Sequence, residues 1–213
     1  KPRIGYLESD FGDQKKDTFN RTAAQKIFSL GHEKIAIKLS NFPFECLIGT
    51  LYAEAAASFE DITLGDIDDT LTRQDPGGWP NAFRKARFLS AVDHVQLDRL
   101  RMMAIGEMNA IFEDVDFIIG PMAVNTMLIV SNFTGHPCLQ IPVGFEELAT
   151  RDELSLASGT LELGTPSDHG KKHLVPRGVS IWAPLFQEDK LINFGNDIEN
   201  LFEFFKNKPP NFS

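Results

Sequence analysis

Residues 131–145, "SNFTGHPCLQIPVGF", set a polar, turn-forming run directly before a strand apolar enough to belong in a sheet interior. Asn132, Thr134, Gly135 and His136 read as a turn, and two accounts of that turn are open. Either its side chains line a pocket, or Asn132 and Thr134 satisfy turn amides while Gly135 supplies a backbone angle that other residues resist. Just upstream, "DFIIGP" at 116–121 is a short apolar run stopped by Gly-Pro, as a central strand ending at a loop would be, and Met122 lies on the adjoining loop. Downstream, "GVSIWAPL" at 178–185 is a third strand. The polar, mixed-charge stretch 146–177 between the last two reads as a surface excursion, and two accounts of it are open, a small hairpin or partial disorder. From Glu188 onward, Leu191, Ile192, Ile198, Leu201, Phe202 and Phe205 mark a terminal helix, and 207–213 is a tail.

Toward the amino end the alternation continues. "RIGYL" at 3–7 reads as a strand entered in mid-fold. A helix over 15–30 follows, with Phe19, Ala23, Ile27 and Leu30 on one face and Gly31 placed to end it. "KIAIKL" at 34–39 alternates as a strand should, giving a β-α-β unit and hence a parallel pair. Asn41 and Pro43 open a helix whose stripe is Leu47, Ile48, Leu51, Tyr52 and Ala55. Two more helices are expected, over 81–89 and 92–112, the second with apolar positions that include Val92, Val95, Leu100, Met103 and Ile111. The class is therefore α/β: a mixed sheet with helices on both faces, built by residues 1–213 as a single domain.

Composition narrows the function. A formal charge of -9 argues against direct contact with nucleic acid or an anionic membrane, both of which call for a Lys/Arg surface. No apolar run reaches the roughly 18 residues that a membrane span needs, and the first residues carry no signal-peptide core, so the chain reads as soluble and cytoplasmic. Cys46 and Cys138 make no disulfide framework. His169 and His173 have the i,i+4 spacing of a helical metal pair, but Pro166 and Gly170 argue against a helix there and no further ligand completes the set, so no metal site is expected. His136 and Cys138 are two apart, which a Cys–His nucleophile would allow, yet no orienting group can be assigned. There is no G-x-S-x-G, no adjacent serine pair, no G-x-G-x-x-G and no Walker A loop. No residue of this chain is a candidate for catalysis.

The order of elements is more informative than any single motif. "RIGYL", the β-α-β unit, the helical block ending in "ARFLSAVDHVQLDRLRM", then "DFIIGP", "SNFTGHPCLQIPVGF" and "VPRGVSIWAPLFQEDKLINFG" together resemble the C-terminal half of an amidase-signature enzyme. In that family an Asp-plus-apolar strand ending in Pro leads to a T-x-x-x-N-x-T/A-G-x-P-A turn, then a strand ending P-x-G. Here "SNFTGHPC" and Pro142, Val143, Gly144 match, with Cys138 where a small residue is usual.

The resemblance implies a helix-wrapped mixed sheet, hydrolysis of carboxylic amides by a Ser, a second Ser held by a cis peptide and a Lys, and no cofactor. Those catalytic groups would lie upstream of this chain, making the missing N-terminal half of the fold its first partner and a small amide its substrate. It further implies that Met122, Asn132, Thr134, Gly135 and His136 contact substrate. An isolated half would expose a sheet edge and an apolar patch, so self-association is expected. Two alternatives stay open: the glutaminase component of a tRNA-dependent amidotransferase, and a non-catalytic α/β module that binds a ligand or a protein.

Overall fold

Side-chain alternation along the strands divides the core in two. Ile4, Phe117, Ile119, Val179 and Ile181 face one side of a sheet, while Leu7, Ile118 and Trp182 face the other, as the two-residue period of a strand requires. A computed structural model describes residues 1–7, 9, 18–122, 126–149 and 171–207. Its strands are β1 (Arg3–Leu7), β2 (Glu33–Ile37), β3 (Phe117–Pro121), β4 (Cys138–Ala149) and β5 (Lys172–Trp182). They form one sheet in the order β2-β1-β3-β5-β4. β1 runs parallel to β2 and β3, whereas β5 is antiparallel to both β3 and β4, so the sheet is mixed.

Helices cover both faces. Helix α1 (Thr18–Phe28) supplies Ala23, Ala24 and Ile27 to the first side, joined by Leu191, Phe194 and Ile198 from the last helix. The other side receives a 3-10 turn at Phe44–Leu47, then helices α2 (Ile48–Ser58), α3 (Glu60–Leu64), α4 (Trp79–Ala86), α5 (Ala91–Asp114) and α6 (Thr126–Thr134), of which the turn, α5 and α6 reach the sheet core. The last helix is α7 (Glu188–Phe202). Helix α1 ends where expected: Gly31 takes φ +80° and its amide donates to the Phe28 carbonyl. Ser90 caps α5, its Oγ accepting from the Asp93 amide at 3.0 Å and donating to the Asp93 carboxylate at 2.7 Å.

Two expectations are corrected. The first concerns which helix faces are buried, and α5 shows why: it carries apolar residues on more than one face, so its sequence offers rival stripes. The structure buries Ala104, Met108 and Phe112, leaving Val92, Val95 and Met103 at 68%, 54% and 61% exposed. The amino-terminal half of α5 thus presents an apolar surface together with Phe88 and Met102. In α2, likewise, Leu47 and Ile48 are buried but Leu51 is exposed.

The second concerns "SNFTG", which is helix rather than turn through Thr134. Met127, Val130, Ser131 and Thr134 are its buried stripe, spaced i, i+3, i+4, i+7. Asn132 and Thr134 donate to the carbonyls of Leu128 and Val130, at 2.7 and 2.9 Å, rather than accepting from turn amides. Gly135 then closes the helix: its φ is +76° and its amide donates to the Ser131 carbonyl at 3.0 Å.

The described ends of the stretch 146–177 are strand. They extend β4 and β5 as a paired ribbon from Gly144↔Arg177 to Ala149↔Lys172, with a register shift between Pro142 and Gly144. Residues 150–170, and 208–213 of the tail, lie outside the described residues. Among the described residues no helix is long and apolar enough to cross a membrane.

Candidate functional site

Strand order dictates where a ligand can sit. The crossover from β1 to β2 runs through α1 on one face of the sheet, and that from β2 to β3 ends in α5 on the other face. Strand order therefore reverses beside β1, and in open α/β sheets the carboxyl ends of strands at such a switch leave a crevice that neither crossover fills. The structure has that crevice. About 340 Å³ opens at the ends of β1 and β2, lined by Leu7, Ser9, Ala36, Ile37, Lys38, Leu39 and Thr126. Thr126 begins α6, so the positive end of that helix faces the same region.

Met122 follows the last residue of β3 at this same end of the sheet. Its amide donates to the Gly178 carbonyl at 3.1 Å, and the buried Ser180 hydroxyl donates to the Pro121 carbonyl at 3.2 Å, pinning the strand end against β5. Gly178 leaves room for this: a Cβ there would lie 3.0 Å from the Met122 sulfur.

The other four expected site residues are elsewhere. Ile118 and Cys138 both pair with Trp182, while Met122 reaches Gly178, whose partner on β4 is Pro142. Four strand residues, about 13 Å, thus separate the level of Cys138 from that of Met122. Residues 132–136 sit at the carboxyl end of α6, toward the amino ends of the parallel strands. Sequence proximity suggested one site; α6 carries its two ends to opposite edges of the sheet.

At that far end His136 is 3% exposed and stacks on Phe112 with ring centroids 5.1 Å apart. Its Nδ1 lies 2.8 Å from the Thr134 Oγ1. The single Thr134 hydroxyl proton is used on the Val130 carbonyl, so Nδ1 is assigned the donor and Nε2 is left an acceptor with no partner among the described residues. Burial lowers the imidazole from 6.5 to about 4. The neutral ring is therefore what the fold accommodates. As pH falls below 6.5 the unfolded chain takes up a proton that the folded chain resists, so stability is full above 6.5 and is lost on the way to 4. That loss is about 2 kcal/mol by pH 5. His136→Asn should flatten this dependence, and urea midpoints between pH 7 and 5 with the same slope in both proteins would sink the assignment.

Cys138 gains nothing from this neighbour. Although the residue is exposed, partial burial of its thiol pushes it up to about 11, against the pull of a backbone hydrogen bond involving Ile181. A protonated thiol beside a neutral imidazole is not an activated nucleophile. His173 lies in β5, where i,i+4 spacing has no helical meaning, and His169 is outside the described residues. Among the described residues no three His, Cys, Asp or Glu side chains gather as a metal site.

A larger cleft of about 630 Å³ opens at the opposite end of the sheet, between Asp116, Pro184, Lys190 and Asp197. It faces the amino ends of the parallel strands, and Asp116 is already held by Arg3 through its backbone amide at 2.7 Å and its guanidinium at 3.1 Å. Topology favours the smaller crevice.

No protein-family model matches the sequence, and no curated protein matches it either. Solved structures do. Over 99% of its length the chain superposes, with a TM-score of 0.67 and 16% identity, on 47% of a 6-aminohexanoate cyclic dimer hydrolase complexed with substrate. Over 97% it superposes, with a TM-score of 0.65 and 15% identity, on 45% of a bacterial aryl acylamidase described as belonging to the amidase signature enzymes family. The chain has the amidase-signature fold. A peptide amidase from Stenotrophomonas maltophilia repeats the likeness, with all of this chain on 45% of that one, a TM-score of 0.63 and 15% identity. The chain thus spans a little under half the length of these structures, and at such identities the likeness is one of fold.

Within this amidase-signature fold, sequence reasoning placed Met122 at a strand end by its Gly-Pro stop but passed over Ser9, Lys38 and Thr126. The available signal was Lys38 itself, a charge at the carboxyl end of "KIAIKL", next to a strand that the β-α-β pattern already made parallel.

Proposed function

We propose that this chain is the C-terminal part of an amide hydrolase whose nucleophilic serine, bridging serine and lysine lie upstream of it. The observation that carries the reading is that 97–100% of the chain superposes on under half of three separate amide-cleaving enzymes. In the proposed reaction the serine oxygen bonds to the amide carbonyl carbon, and the C–N bond breaks as a proton passes to the leaving nitrogen. Water then cleaves the acyl ester, releasing the acid and restoring the serine. This chain's share is one wall of the substrate crevice. Met122 is proposed to touch substrate at the carboxyl end of β3. Asn132, Thr134, Gly135 and His136 are proposed to serve the same site from a distance, by fixing the far end of α6 and so the direction in which it leaves the crevice.

The test is hydrolysis of hexanamide by the full-length polypeptide. Ammonia release that falls at least about a thousandfold when the upstream serine becomes alanine is expected. A full-length polypeptide without such a serine, or with turnover indifferent to it, overturns the reading. Glutamine hydrolysis in a complex with co-purifying proteins would instead select the amidotransferase alternative, and ligand binding without any hydrolysis the non-catalytic one.

A further inference from the structure

We infer that the crevice at the ends of β1 and β2 is an anion subsite, in which Lys38 selects amides that carry a carboxylate remote from the bond to be cut. The inference takes its substrate class from the amide-hydrolase reading, while its binding chemistry stands on the crevice itself. Of the residues lining it, Leu7, Ala36, Ile37 and Leu39 are apolar, Ser9 and Thr126 offer hydroxyls, and Lys38 is the single charged group among those described. Two other clefts are net acidic, and in a third the cation is already paired. The large one opposite holds two acids, Asp116 and Asp197, against Lys190. The groove between α2 and α5 holds Glu54 and Glu60 against Arg87, which is already paired with Glu60 at 3.0 Å. The small pocket at Trp79 holds Arg73, which is paired with Asp75. What sets Lys38 apart in a chain of formal charge -9 is that, unlike Arg73 and Arg87, it has no ion-pair partner among the described residues.

Low-dielectric walls make one cation count. Lys38 is itself exposed, and the apolar side chains on one side of it strengthen its attraction for an anion over that in bulk water. Lysine acts as a point charge, which suits a carboxylate, and the Ser9 and Thr126 hydroxyls can donate to its oxygens. The apolar lining fits methylenes. At about 30 Å³ per water molecule, the volume equals roughly eleven waters, enough for a short acyl chain ending in a carboxylate.

The probes are adipate, adipamate and hexanamide, the last two differing only in whether the far end is a carboxylate or a methyl. Adipate binding to the full-length polypeptide is measured by calorimetry for the parent, Lys38→Met and Lys38→Arg. Binding should weaken about tenfold in Lys38→Met and be largely kept in Lys38→Arg. The KM for adipamate should rise about tenfold in Lys38→Met, several times more than any change in the KM for hexanamide. Adipate binding indifferent to Lys38, or an equal loss on both amides, overturns the inference. The two readings also separate cleanly. Lys38-dependent adipate binding in a polypeptide that cannot hydrolyse hexanamide upholds the subsite and sinks the hydrolase; hexanamide hydrolysis with Lys38-independent adipate binding does the reverse.

Discussion

Trp182→Ala should lower stability by about 3–5 kcal/mol, read as a large drop in urea midpoint at an unchanged slope. Trp182 is 1% exposed and sits where three strands meet, opposite Ile118 on β3 and Cys138 on β4. Its side chain belongs to the cluster that holds Leu7, Phe112 and Met127, so truncation leaves a cavity between the sheet, α5 and α6 that none of them can collapse into alone. Trp182→Phe supplies the control. The indole N–H is buried and has no acceptor among the described residues, so Phe removes an unpaired donor along with one ring. Its cost should stay under about 1.5 kcal/mol. A Phe variant as unstable as the Ala variant would mean that the indole proton is bonded in solution after all.

Trp182 also marks how far the sequence could be read. Its strand was evident from "GVSIWAPL", because a strand buried on both faces announces itself as an apolar run, and the parallel β1–β2 pair was evident from the alternation of "KIAIKL" in a β-α-β pattern. Helix α6 did not. Its stripe is Met127, Val130, Ser131 and Thr134, two of them hydroxyl residues, and the "SNFTG" that ends it has the composition of a turn. Nor could the buried face of α5 be chosen, since Val92, Val95 and Met103 are as apolar as the Ala104, Met108 and Phe112 that the sheet takes. The crevice was hidden for a different reason. A switch point depends on which face each crossover takes, and that is settled by packing between distant segments rather than by any local period. Met122 could be placed at a strand end, but its separation from His136 follows only from the register that β5 imposes on both β3 and β4.

Gly178 is the tightest backbone approach within that register, and Gly178→Ala should cost about 3 kcal/mol, toward the upper end of what overpacking does. A Cβ at Gly178 would stand 2.5 Å from the Ile141 carbonyl oxygen and 3.0 Å from both the Ile141 carbonyl carbon and the Met122 sulfur. Two of those three atoms are backbone of the adjacent strand, next to the register shift between Pro142 and Gly144. They cannot swing away as a side chain could, so β4 and β5 must part, and the hydrogen bond from the Met122 amide to the Gly178 carbonyl goes with them. Gly195→Ala is the informative comparison, because there the closest atom is the end of the Leu139 side chain, which can change rotamer. The prediction is therefore an ordering as well as a size: Gly178→Ala well below Gly195→Ala in urea midpoint, with a disturbed environment at Met122 by methyl NMR. If the two midpoints coincide, the bulge is pliable enough to absorb a methyl group, and the carboxyl end of β3 is held by Ser180 and Pro121 rather than by the close approach at Gly178.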